Sequence, residues 1–148
     1  MVRMAKITNP FVRARQARRS ELAEDYVELI ADLIAREGEA RAASIARVLG
    51  VTQATVTNTI ARLVRDGFVK TEPYRPIELT ARGRALAEHS RQRHSIVRNF
   101  LLSIGVRPET ATIDAEGIEH HVSAETLSAL RALTHRLLDP KSAPEKGI

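Results

Sequence analysis

The sequence predicts a mainly α-helical fold with one small β-ribbon near the middle of the chain. Apolar residues recur at the helical period of 3.6 along most of the 148 residues. A single stretch, residues 68–80, instead has two short apolar runs around the prolines at positions 73 and 76. Aromatic residues make up only 3% of the chain, so its core must be built from Leu, Ile, Val and Ala.

The first half of the chain predicts a long helix followed by two helices that are joined by a tight turn. The long helix is predicted to begin at Ser20, as its N-cap, and to end at Gly38. The next two helices meet at Gly50, and the second runs from Thr52 to about residue 66. This is the helix-turn-helix pattern, and the ribbon after it makes a winged helix. The inward positions of its second helix are predicted to be Val56, Ile60, Leu63 and Val64.

The exposed side of that second helix carries short polar residues that are suited to reading base edges. Asn and Gln can form paired hydrogen bonds with adenine, and the methyl group of Thr can pack on thymine. Basic side chains on the ribbon would contact phosphates. An ordinary solvated helix face is the alternative, but the helix-turn-helix pattern favours double-stranded DNA as a partner. The predicted DNA-binding residues are Thr52, Gln53, Thr55, Thr57, Asn58, Arg62, Lys70 and Arg75.

The net charge of +5 is unevenly distributed. Residues 1–19 hold six basic side chains and no acidic one, whereas the rest of the chain carries 17 basic and 18 acidic side chains. A basic arm on a nearly neutral body indicates a polyanion partner, with a disordered solubilising tail as the alternative. The chain has no cysteine and no apolar run that could span a bilayer, so we expect a cytoplasmic protein without a membrane partner.

Helical periodicity resumes after the ribbon and predicts three further helices. Thr80 would cap a long helix that ends near Gly105, and Pro108 would take the first position of the next one. Ser123 would start the last helix, whose leucines lie on one side. This part of the chain is too small to enclose its own leucines, so we expect it to pair with a second copy as a two-fold homodimer.

Acidic and imidazole side chains are concentrated in three segments. Glu116, Glu119 and His120 have i, i+3, i+4 spacing, so one helix would project them from one face. His94 lies in the middle of the long helix. Carboxylate and imidazole ligands without sulfur suit Mn(II), Fe(II), Co(II) or Zn(II). The alternative to a metal site is a solvated acidic surface with an ordinary histidine. The first helix carries an acidic stripe at Glu21, Asp25, Glu28 and Asp32, and spacing alone does not bring the three segments together.

Three segments resemble the diphtheria-toxin-repressor-like family, and its manganese-responsive branch in particular: DYVELI, RHSIVRNFLLSIGV and DAEGIEHHVS. The resemblance covers roughly residues 18–138 and implies a homodimeric winged-helix repressor that binds operator DNA when loaded with metal. It implies Mn(II), because the iron-responsive branch has a sulfur ligand that this chain lacks, and six ligands could hold two such ions per chain. Fe(II) or another divalent transition metal is the alternative. The implied ligands are Asp25, Glu28, His94, Glu116, Glu119 and His120.

The implied fold is an N-terminal winged helix-turn-helix followed by a helical metal-binding and dimerisation domain. We expect a basic arm at residues 1–19, the DNA-binding domain at 20–80, the remaining helices at 81–138 and a flexible tail at 139–148. The expected function is Mn(II)-activated repression of manganese uptake genes. A winged-helix regulator of a small organic ligand is the rival interpretation. An enzyme is not expected, because no nucleophile motif or glycine-rich phosphate loop accompanies the carboxylates.

Overall fold

A computed structural model describes residues 9–139 and Lys141. Within this part of the chain it contains six α-helices, one two-stranded antiparallel sheet and a short 3-10 turn at Glu119–His121, which confirms the predicted fold class. The first eight residues of the predicted arm and most of the predicted tail lie outside the described residues. The elements are α1 (Pro10–Glu37), α2 (Ala42–Leu49), α3 (Gln53–Arg65), β1 (Val69–Lys70), β2 (Glu78–Leu79), α4 (Ala81–Ser103), α5 (Pro108–Ile118) and α6 (Ala124–Leu138).

Helix α1 begins well before the predicted start at Ser20. Its N-cap is Asn9, whose side chain accepts a hydrogen bond from the backbone N–H of Phe11 at 2.9 Å, and Pro10 opens the helix. Ser20 therefore lies inside the helix, and the predicted start was wrong. The apolar period begins only at Leu22, whereas Asn-Pro is itself a helix-start signal that acts without tertiary burial.

The described chain divides into two compact units after Ala87. The core of the first unit is formed by one side of α1, the helix-turn-helix and the sheet, and includes Tyr26, Val27, Ile30, Leu33, Ile45, Val56, Ile60, Leu63, Val69 and Leu79. Val64 was wrongly predicted to face inward and is 39% exposed. Thr59 is buried on α3 instead, and its hydroxyl donates to the carbonyl of Thr55 at 3.1 Å, which satisfies the polar group.

The start of α4 is held tightly against the sheet. Thr80 caps the helix as predicted: its hydroxyl oxygen accepts from the N–H of Gly83 at 3.1 Å and donates to the carbonyl of Gly67 at 2.6 Å. Arg82 places its guanidinium 4.6 Å from the ring centre of Phe68. A side chain at Gly83 would begin 2.0 Å from the carbonyl oxygen of Phe68, so only glycine fits this approach. The sheet and α4 thus form one well-packed corner.

The second unit has a small core around Val97, Ala115 and Leu127. Ser123 caps α6 as predicted, with its hydroxyl accepting from the N–H of Thr126 at 3.1 Å. Several large apolar side chains of this unit are exposed, namely Ile104, Ile113, Ile118, Leu137 and Leu138. Such a surface favours association with another molecule. Among the described residues, none of the helices combines the length and the apolar character needed to cross a bilayer.

Candidate metal centre and DNA-reading surface

Three predicted metal ligands come together in the second unit. Nδ1 of His94, on α4, lies 3.3 Å from Oε1 of Glu116, on α5. One ligand atom from each of His94, Glu116 and Glu119 lies within 4.8 Å of the other two. Glu119 is 0% exposed, His94 is half-buried and Glu116 is exposed, so the cluster runs from the interior to the surface.

The fourth predicted ligand of this unit, His120, adjoins the same cluster. Its Nε2 lies 3.6 Å from Oε1 of Glu119, and both side chains are almost completely buried. The sequence predicted Glu116, Glu119 and His120 on one continuous α-helix, and that prediction was wrong. Helix α5 ends at Ile118, and Glu119–His121 form a 3-10 turn. The tighter turn alters the directions of Glu119 and His120 relative to an ideal α-helix.

The chemistry of this cluster fits a divalent transition metal. A fully buried carboxylate is costly unless a counter-charge or hydrogen bonds compensate it, and here a second carboxylate lies close by. Oxygen and imidazole nitrogen are the donors offered, and the chain contains no cysteine. This donor set suits the harder members of the transition series, including Mn(II) and Fe(II).

Arg93 is part of the centre, although the sequence analysis did not identify it. Its guanidinium donates from Nε to the carbonyl oxygen of Glu119 at 3.1 Å and from Nη2 to that of Val122 at 3.0 Å, and Nη2 also contacts the Glu119 carbonyl. Arg93 therefore ties α4 to both ends of the turn that carries Glu119 and His120. An arginine in a polar stretch of helix resembles a surface residue in sequence. The only signal that could have identified Arg93 is its position next to the predicted ligand His94.

The other two predicted ligands, Asp25 and Glu28, lie on α1 in the first unit. Both are half-buried, as is Glu21 of the same acidic stripe, whereas Asp32 is exposed. Partial burial of two carboxylates distinguishes them from a purely solvated helix face. Their part in metal binding remains a prediction.

The predicted base-reading residues lie on or beside the first turns of α3. Gln53, Thr57 and Asn58 are exposed, as readout requires, whereas Arg62 is half-buried. The hydroxyl of Thr52 caps α3 by accepting from the N–H of Thr55 at 3.2 Å, and the two threonine hydroxyls lie 2.9 Å apart. The cap orients the start of the helix, so Thr52 and Thr55 have a structural task in addition to any contact with DNA.

The predicted phosphate-contacting residues of the ribbon are both exposed. Lys70 is on β1, and Arg75 follows the exposed Tyr74 in the loop between the strands. Nε of Arg75 lies 3.4 Å from Oε2 of Glu72, a solvent-exposed ion pair of the kind that contributes little stability and can exchange for a phosphate. Their contacts with phosphates stay a prediction.

Comparison with curated proteins finds close relatives over most of the chain. The transcriptional regulator MntR of Escherichia coli O6:H1 is 50% identical over 136 residues, which is 92% of this chain and 88% of that protein. The HTH-type transcriptional regulator MntR of Lysinibacillus sphaericus is 40% identical over 110 residues, which is 74% of this chain and 79% of that protein.

Comparison with solved structures finds the same fold in longer chains. A manganese-dependent transcriptional repressor in complex with manganese has a TM-score of 0.67 and 27% identity, covering 76% of this chain and 52% of that one. IdeR of T. acidophilum has a TM-score of 0.65 and 28% identity, covering 76% and 53%. The chain thus spans about half the length of these structures.

Two family models together match nearly all of the sequence. Residues 19–77 match the N-terminal DNA binding domain of the iron dependent repressors, and residues 80–147 match their metal binding and dimerisation domain. Operator DNA and a second copy of the chain are therefore its partners, and divalent metal is its ligand. The chain belongs to the iron dependent repressor family of metal-dependent, DNA-binding transcriptional regulators.

Proposed function

We propose that this regulator is a repressor of manganese uptake genes that Mn(II) activates. The observation that carries the proposal is the cluster of His94, Glu116 and the fully buried Glu119, which offers oxygen and nitrogen donors in a chain without cysteine. Carboxylate-rich sites favour Mn(II), which is the weakest binder of the divalent series and depends on geometry and availability for selection. The similar solved structure of a manganese-dependent transcriptional repressor agrees with this metal.

The proposed ligands are the cluster residues, the adjoining His120, and Asp25 and Glu28 of α1. A bound ion would supply the positive charge that offsets repulsion among these carboxylates. If the ion binds the DNA-competent state better than the inactive state, metal loading would shift the population toward the competent state. A coupling free energy of about 1–3 kcal/mol is typical of such regulation.

Six ligands, four of them carboxylates that can bridge, support two ions per chain as the finer proposal. The proposed place of action is the cytoplasm, where a bacterial operator is found. We further propose that the protein acts by binding alone and has no catalytic activity, because its relatives are regulators. Phosphoester turnover that Mn(II) stimulates would contradict this part of the proposal.

The test of the proposed function is a DNA-binding titration with and without metal. The probe is a fluorescent duplex enriched by the protein from a randomised library in the presence of Mn(II). Fluorescence anisotropy should show a Kd lower by about 5–150-fold in Mn(II) than in excess chelator at the same salt, which corresponds to the coupling given above. Equal binding in both conditions would exclude metal gating, and activation by Fe(II) alone would reassign the metal.

Removal of the Arg93 side chain should weaken metal binding rather than the fold. Arg93→Ala deletes the donors to the carbonyls of Glu119 and Val122, so the turn that carries two ligands loses its support from α4. Partners of this kind typically contribute about 10–100-fold in metal affinity. We expect a loss of that size in Mn(II) affinity, measured by competition with a fluorescent chelator.

Arg93→Lys is the matched variant for this prediction. A lysine keeps the positive charge but cannot donate to two carbonyls with the fixed geometry of a guanidinium, so partial recovery is expected. Arg91→Ala is the control, because Arg91 is an exposed arginine on the same helix and its ion pair with Glu88 lies within α4. An Mn(II) affinity of Arg93→Ala equal to that of wild type, at unchanged thermal stability, would refute the positioning role.

A further inference from the structure

The N-terminal part of α1 presents a basic surface that is unexplained by the fold. Every residue from Arg13 to Ser20 is exposed, and Phe11 is 77% exposed. The four arginines of this part are Arg13, Arg15, Arg18 and Arg19. The matched DNA-binding domain of the family begins only at residue 19, so this segment lies almost wholly outside it.

Three of these arginines share one face of the helix. Arg15, Arg18 and Arg19 have i, i+3, i+4 spacing, which places them side by side on α1. Seven residues further along, Leu22 and Tyr26 continue the line of Arg15 and Arg19 and pack in the core of the first unit. The side of α1 that anchors the helix in the DNA-binding unit therefore continues outward as an arginine face over about 15 Å for ten residues of helix.

This face is electrostatically unfavourable in the isolated chain. Like charges four residues apart repel, and cations near the start of a helix oppose the helix dipole. The first turn of α1 has no acidic residue, and among the described residues none forms an ion pair with Arg15, Arg18 or Arg19. The start of the helix is nevertheless well defined, because Asn9 is its N-cap and Pro10 occupies its first position. A bound polyanion would attract these arginines and offset their mutual repulsion.

We propose that the arginine face of α1 is a second DNA-binding element, which contacts phosphates of the same duplex that α3 reads. The inference rests on DNA binding by the proposed repressor but not on its metal. Duplex DNA is favoured as the polyanion because α1 is one continuous helix anchored in the DNA-binding unit. A lipid surface is disfavoured because Phe11 is the only large apolar side chain strongly exposed on residues 10–20, too little to insert into a bilayer.

The test compares the full-length protein with the triple variants Arg15→Gln/Arg18→Gln/Arg19→Gln and Arg15→Lys/Arg18→Lys/Arg19→Lys. Each neutralised phosphate contributes about 0.9 to the slope of log K against log salt. The Gln variant should lower the magnitude of that slope by about 2–3 and weaken binding about 10–100-fold near 0.15 M salt. The Lys variant, which keeps the charges, should retain most of the affinity and the slope.

Two probes separate this element from base readout and from metal gating. Phosphate contacts carry no sequence information, so the Gln variant should lose the same factor on the enriched operator duplex and on a random 30-bp duplex. Asn58→Ala on α3 should instead weaken only the operator complex. On the random duplex, the Gln variant should lose the same factor in affinity in Mn(II) and in chelator. This test can therefore be interpreted even if metal gating fails.

An unchanged Kd and salt slope for the Gln variant, at wild-type thermal stability, would overturn the proposal. Loss of binding to the operator alone would also overturn it, because that outcome indicates base-specific contacts. Anionic vesicles of phosphatidylglycerol and phosphatidylcholine serve as the competing surface. Arginine-dependent vesicle binding without an effect on DNA would assign the face to lipid instead.

Discussion

Glu119→Gln is expected to abolish the response to Mn(II) while the metal-free protein remains folded. Glutamine has nearly the volume of glutamate, so the fully buried position stays filled, but the charge and one of two carboxylate oxygens are lost. Loss of a group that only supports a ligand costs about 10–100-fold in affinity, so loss of a central ligand should cost more than about 100-fold. In the metal-free protein, the variant also removes a costly buried charge.

Thermal unfolding measures both effects in one experiment. Mn(II) at 100 times its Kd should stabilise the wild-type protein by about 2.7 kcal/mol, and the Glu119→Gln protein should show almost no shift. Without metal, the variant should unfold at the wild-type temperature or slightly above it. Asp114→Asn is the matched control, because Asp114 is an exposed acid on the preceding helix α5 and lies outside the ligand cluster. A wild-type Mn(II) shift in Glu119→Gln would remove Glu119 from the centre.

The residue types of the metal centre could be predicted from sequence, but the local geometry could not. Spacing placed Glu116, Glu119 and His120 on one face of an α-helix, whereas the backbone tightens into a 3-10 turn after Ile118. Arg93 on α4, which is distant along the chain, donates hydrogen bonds to the carbonyls of Glu119 and Val122 in and after this turn. Helical periodicity reports local order only, so it contains no information about a donor on another helix.

The fold followed from the sequence where local signals and burial agreed. The glycine turn at Gly50, the cap at Thr52 and the strands around residues 73–76 all lie where they were predicted. The prediction failed where the two signals separated, as at the start of α1, which has a strong cap but no buried face. On α3, Val64 is exposed and Thr59 is buried, because the position on the helix circumference outweighed the polarity of the side chain.

Gly117 shows the limit of composition-based arguments about glycine. A glycine inside a helix can allow close approach of another segment. In the described chain, however, a Cβ atom at Gly117 would meet nothing within 4 Å. The close approach is instead at Gly83, near the start of α4.

Gly83→Ala is expected to destabilise the first unit by about 3–5 kcal/mol, a large part of the stability of a typical domain. The added Cβ would lie 2.0 Å from the carbonyl oxygen and 3.0 Å from the carbonyl carbon of Phe68. These are backbone atoms of the segment that enters β1, so rotation of a side chain cannot relieve the clash. Either α4 or the ribbon must move, which breaks the hydrogen bonds that Thr80 makes to both. Urea unfolding followed by circular dichroism measures the change.

Gly117→Ala is the matched control for this variant, since it makes the same chemical change at an open helical position. It should raise the free energy of unfolding by no more than about 1 kcal/mol, because Ala has a higher helix propensity than Gly. The double variant Gly83→Ala/Phe68→Ala distinguishes a clash with the backbone from a clash with the phenyl ring. If backbone causes the clash, removal of the phenyl ring cannot restore stability and should lower it further. Recovery in the double variant would instead show that the ring causes the clash. In the expected case the ribbon is displaced, and Lys70 and Arg75 with it, so weaker DNA binding should accompany the loss of stability even in saturating Mn(II).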